Sequence, residues 1–111
     1  MWQRAIQLVT ATYHLAAVLP KNEQFGLISQ MQRCSVSIPS NIAEGYKRKA
    51  LGDYIRFLNI ADGSAAELET QFIIVRELYP SANTETASEL LVEVQKMLVT
   101  MITRLSLKAN R

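Results

Sequence analysis

Between Tyr54 and Tyr79 the apolar residues return every three or four positions: Tyr54, Phe57 or Leu58, Ala61, Ala65, Leu68, Phe72, Val75 and Leu78 or Tyr79. That step keeps side chains on one face of an α-helix and would scatter them on a strand. Sustained over more than three heptads, it requires a helix whose apolar face other helices must cover. Three further segments carry the same step. Trp2, Ala5 or Ile6, Val9, Thr12 or Tyr13, Ala16 and Leu19 form one seam, with Leu8 and Leu15 beside it. Met31, Cys34 or Ser35, Ile38, Ile42 and Tyr46 form a second, and Ala87, Leu91, Val94, Leu98, Met101 and Leu105 a third. The predicted helices are therefore about 2–19, 23–49, 51–79 and 84–109. Short connections between helices of similar length favour antiparallel neighbours. The expected fold is an all-α, antiparallel, up-and-down four-helix bundle formed by one domain, residues 1–111.

Local signals mark the boundaries. Pro20 and Pro80 close the first and third helices, Asn22 is a candidate cap for the second, and Asn83 or Thr84 for the fourth. Asp53 suits the positive end of the third helix dipole, whereas Ala50 offers no capping oxygen there. Pro39 stands inside the second helix and predicts a kink near Val36 to Ser40. Gly26 weakens its first turn, and Gly45 reads as a close-packing position. The run Ala61-Asp62-Gly63-Ser64-Ala65-Ala66 is built largely of small residues, which let another backbone approach; the expected partner is the second helix at Ser37 and Asn41.

An apolar fraction of 49% beside only 20% charged residues is rich for a monomer, and the wide apolar face of the first helix can serve both a core and a contact between copies. The net charge is +2, but residues 1–56 hold seven basic and three acidic side chains while 57–111 hold five and seven. Positive charge thus gathers in the first half, either to pair with the second half inside the bundle or to meet an external anion. The single cysteine, Cys34, rules out an intrachain disulfide and reads as a small core residue. The N-terminus lacks the layout of a signal peptide, and no apolar run approaches the ~20 residues needed to span a bilayer. A cytoplasmic protein without membrane association is expected.

A second, polar stripe lies on the helix of residues 23–49: Gln30, Arg33, Ser37, Asn41, Glu44 and Arg48. One reading is structural, with Arg33 reaching Glu67 or Glu44 and Asn41 bonding to the small-residue patch so as to fix helix register. The other makes part of the stripe, with Lys47, Arg48, Lys49 and Arg56, the lining of a cationic surface or channel for nucleic-acid phosphates. Trp2, Tyr46 and Tyr54 suit either base stacking or core and interface slots. Catalysis finds little support. A di-metal bundle site needs Glu-x-x-His on two helices, and the only histidine, His14, follows no such glutamate. Ser35, Ser37 and Ser40 have no histidine at a motif spacing, and Glu44, Glu67 and Glu69 have no evident cleft. No metal, cofactor or enzymatic activity is expected.

The string Gln30 to Gly45, with Phe25-Gly26-Leu27 before it and Arg56-Phe57-Leu58, Ile60-Ala61, Gly63-Ser64 and Glu67-Leu68-Glu69-Thr70 after it, resembles the four-helix-bundle family named for the 23S rRNA intervening sequence protein. The accessory variability determinant of diversity-generating retroelements resembles the same family. The likeness extends from Trp2 to about Tyr79, and the last helix fits by hydrophobic pattern. It implies a small bacterial protein that assembles into a closed ring, a homopentamer. The retroelement relatives imply a basic, non-enzymatic partner of a reverse transcriptase that binds nucleic acid. The function expected is accordingly an oligomeric adaptor that binds RNA or DNA through Lys47, Arg48, Lys49 and Arg56. The alternative is a protein-interaction scaffold that recruits a partner such as a reverse transcriptase without touching nucleic acid.

Overall fold

The seams become four helices. A computed structural model describes residues 1–110, with α1 at Trp2–Ala17, α2 at Leu27–Tyr46, α3 at Leu51–Leu78 and α4 at Glu85–Ala109; a short 3-10 turn, Lys21–Glu23, lies between α1 and α2. Each helix packs on two others: α1 on α2 and α4, and α3 on α2 and α4. The result is an all-α four-helix bundle measuring 50 × 21 × 19 Å. Its 28-residue α3 spans about 42 Å, most of the long axis.

Leu8, Met31, Ile38, Leu58, Leu68, Phe72, Val75, Val94 and Leu98 are fully buried along the axis. In α1 the core face is rotated from the predicted seam: Ala5, Leu8, Thr12, Leu15 and Ala16 point inward, while Ile6 and Tyr13 are exposed and Val9 is half-buried. Apolar residues on both sides of α1 leave its rotation open until α2 and α4 choose a face. In α2 the rotation is fixed similarly, with Ser35 buried and Cys34 half-buried. The buried hydroxyls of α1 and α2 are satisfied within their own helices. Thr12 Oγ1 donates to the Leu8 carbonyl at 2.8 Å and Ser35 Oγ to that of Gln32 at 2.9 Å.

The second helix is shorter than predicted at both ends. Residues 23–26 do not join it: Glu23 lies in the 3-10 turn, Phe25 is 93% exposed, and Gly26 occupies the N-cap position without a side-chain cap. Asn22 lies in the turn and caps nothing. Glycine is unfavourable in a helical first turn, so the helix starts after it. At the far end α2 stops at Tyr46, leaving Lys47, Arg48 and Lys49 in the corner before α3. Gly45 explains the position of that corner. A Cβ there would stand 2.7 Å from Phe57 Cβ, so α2 and α3 touch at Gly45 and the chain turns directly after it. α2 runs through Pro39, whose ring is buried.

The small-residue patch packs in part as expected. Ala61 and Ala65 are buried, and Ser64 Oγ lies 2.8 Å from Ser37 Oγ across the α2–α3 contact. Gly63 instead faces outward, with no atom within 4 Å of an added Cβ. At the start of α4, Thr84 is the N-cap residue but makes no capping bond; Asn83 Oδ1 accepts the Glu85 N–H at 2.9 Å. No helix among the described residues is long and apolar enough to cross a membrane.

Candidate nucleic-acid interface

The α2–α3 corner places three successive cations at the carbonyl end of α2, where the helix dipole favours positive charge. The Lys47 N–H bonds to the Glu44 carbonyl at 3.2 Å and the Arg48 N–H to that of Gly45 at 3.1 Å, so the last turn tightens. Arg56, one turn into α3, brings a fourth cation to the same corner. Ala50 leaves the start of α3 without a side-chain cap.

The four cations differ in how they are held. Arg48 pairs with Glu44 at 3.0 Å and Arg56 meets Asp53 at 4.0 Å. Both guanidinium groups also lie over Phe57, 4.8 and 4.6 Å from the ring centroid, which fixes their direction by cation–π attraction. Phe57, only 7% exposed, is thus both buried against α2 and a platform for two arginines. Its place in the apolar seam concealed that second role. Lys47 and Lys49 are exposed and form no ion pair among the described residues.

The polar stripe does not converge on this corner. Arg33 lies 14 residues before Lys47 on essentially the same helix, about 21 Å away along its axis. Arg33 donates to Ser29 Oγ at 3.1 Å rather than reaching Glu67 or Glu44. Asn41 Nδ2 donates to Ser37 O and Oγ at 2.8 and 3.0 Å, within its own helix, and Ser37 makes the bond across to α3. Glu44 turns to Arg48, and Gln30 is exposed. Glu67 Oε2 accepts the Cys34 S–H at 3.3 Å, and Gln71 Nε2 donates to the same sulfur at 3.4 Å. Burial first, and then neighbouring Glu67, push the Cys34 thiol above its ordinary 9.0. Gln71 was not foreseen, although a polar residue between Leu68 and Val75 on the seam was its signal.

Beside the cations lies an apolar cleft of about 340 Å³ that the fold assembles from three elements: Trp2 of α1, Ile42, Ala43 and Tyr46 of α2, and Tyr54 of α3. The Tyr46 and Tyr54 rings meet edge to face, with centroids 6.2 Å apart and planes at 84°. Burial, and then Tyr46, push the Tyr54 hydroxyl above 10.0. Among the described residues, no three His, Cys, Asp or Glu side chains group as metal ligands would.

The family model for the 23S rRNA-intervening sequence protein matches residues 1–100, which include the whole corner and most of α4. The chain belongs to this family. No curated protein matches this member of the 23S rRNA-intervening sequence protein family. The match takes in the four-helix core and the cationic corner alike, so the family assignment covers every residue of the candidate interface.

Proposed function

We propose that this protein is a non-enzymatic, cytoplasmic adaptor that binds RNA or DNA phosphates through Lys47, Arg48, Lys49 and Arg56. The observation that carries the reading is one exposed corner with three consecutive cations and a fourth a turn away, of which Lys47 and Lys49 have no counter-ion among the described residues. The arginines keep their exposure despite their ion pairs, and exposed pairs of this kind cost little to exchange for phosphate.

A chain of +2 needs company to hold a polyanion. Ile6 and Tyr13 on α1, and Val92 and Val99 on α4, are exposed at seven-residue spacing, which supports seams between copies. In the proposed assembly neighbouring helices of the bundle run antiparallel and copies close into a ring, five-membered by family resemblance. Repetition of the corner around the ring multiplies the local field.

Electrophoretic retardation of a structured RNA and of duplex DNA, at low and raised salt, tests the reading. Retardation should weaken with salt and disappear when Lys47, Arg48 and Lys49 are changed together to Glu. A protein that retards neither ligand at low ionic strength would end it. A second reading, recruitment of a protein such as a reverse transcriptase, is favoured by Phe25, whose ring stands almost wholly in solvent as interface aromatics do. A pull-down partner that survives nuclease and is lost in Phe25→Ala would support that alternative.

A further inference from the structure

We infer that the Trp2–Tyr46–Tyr54 cleft takes an unpaired nucleobase of the strand whose phosphates lie on Lys47 and Lys49, an inference that rests on the nucleic-acid reading above. The cleft combines three features. Apart from Lys47, its lining is aromatic and aliphatic: Met1, Trp2, Ile42, Ala43, Tyr46 and Tyr54. Tyr46, at its mouth, is 73% exposed, yet its ring is oriented by the edge-to-face contact with Tyr54 rather than swinging freely. Lys47 belongs to the same wall, and Lys49 follows two residues on with its charge unpaired among the described residues.

Charge complementarity selects the occupant. An apolar segment of another copy would fill the cleft but would leave the Lys47 and Lys49 charges without a counter-ion. A nucleotide supplies both halves: a flat ring for the aromatic walls and a phosphate for the ammonium groups. The exposed lining of the cleft is almost wholly apolar, so it would hold a base through stacking and apolar contact more than through hydrogen bonds to its edge. Bases inside a duplex have no free face. The ligand class is therefore single-stranded RNA or DNA, or the loops and bulges of a folded RNA, taken with little sequence preference.

Trp2 is the only tryptophan, so its fluorescence reports the cleft directly. Titration with a single-stranded oligothymidylate should quench this emission and bind more tightly than a duplex of equal length, which should bind without quenching. Tyr46→Ala should weaken the single strand by about five- to a hundredfold, the worth of one stacked base, and leave the duplex unchanged. Tyr46→Phe, which keeps the ring, should retain the affinity. Lys47→Glu with Lys49→Glu should weaken both ligands. Equal affinity for single strand and duplex, or binding without quenching, overturns the inference and spares the nucleic-acid reading. Failure of both ligands to bind overturns both. A Tyr46→Ala variant whose sedimentation changes while its ligand affinities do not would place a second copy in the cleft and likewise overturn it.

Discussion

A methyl group at position 45 would fall 2.7 Å from Phe57 Cβ and 3.3 Å from the Tyr54 carbonyl oxygen, whereas one at position 63 would meet nothing within 4 Å. The two glycines therefore predict opposite outcomes. Gly45→Ala forces α2 from α3 and should cost about 1–3 kcal/mol. Gly63→Ala removes backbone freedom from the unfolded chain inside an exposed stretch of helix and should add about 0.5–1 kcal/mol. Thermal unfolding of the two variants distinguishes them by sign. Between the same helices, Ser37→Ala and Ser64→Ala should each cost about 1 kcal/mol, and the double variant should lose less than the sum, because one hydrogen bond is shared. Cys34 was legible only as a small residue of the seam. Its half-burial beside Glu67 predicts slow alkylation at pH 8 that accelerates in denaturant, since the thiol is held protonated in the fold.

At the scale of elements, the connections depart furthest from expectation. The 3-10 turn after α1 is tied to the far end of α3 by the Tyr79 hydroxyl, which donates to the Glu23 carboxylate 56 residues away in sequence. This bond, more than burial, holds the Tyr79 pKa above 10.0. Because the folded state favours the protonated phenol, the stabilisation is complete below pH 10 and is lost as pH rises through the higher folded value. The stability advantage of the native protein over Tyr79→Phe, read from urea midpoints, should accordingly shrink above pH 10. The helices themselves were legible because a three-four step over several turns admits one regular structure. The first turn of α2 was not. Its start is settled by Gly26 and by the hydrogen bond that ties the preceding turn to Tyr79, neither of which leaves a periodic trace.

At the scale of the molecule, side chains such as Val92 and Val99 lie on the outside of a bundle whose interior is already filled. If they join copies, Val92→Glu with Val99→Glu should lower the sedimenting mass while leaving helical circular dichroism intact, since neither side chain contributes to the core. Apolar periodicity by itself determined that this chain forms four helices, and chain order alone put Lys47, Arg48 and Lys49 side by side. Which face of α1 turns inward was decided only by tertiary packing, because a helix apolar on two sides has no preferred rotation until neighbours cover one. Folding likewise brought Trp2 to Tyr46 and Tyr54 and laid Arg48 and Arg56 over Phe57. Periodicity fixes which residues share a face of one helix, whereas a cleft built from three helices depends on their mutual placement, which no spacing within a single helix encodes.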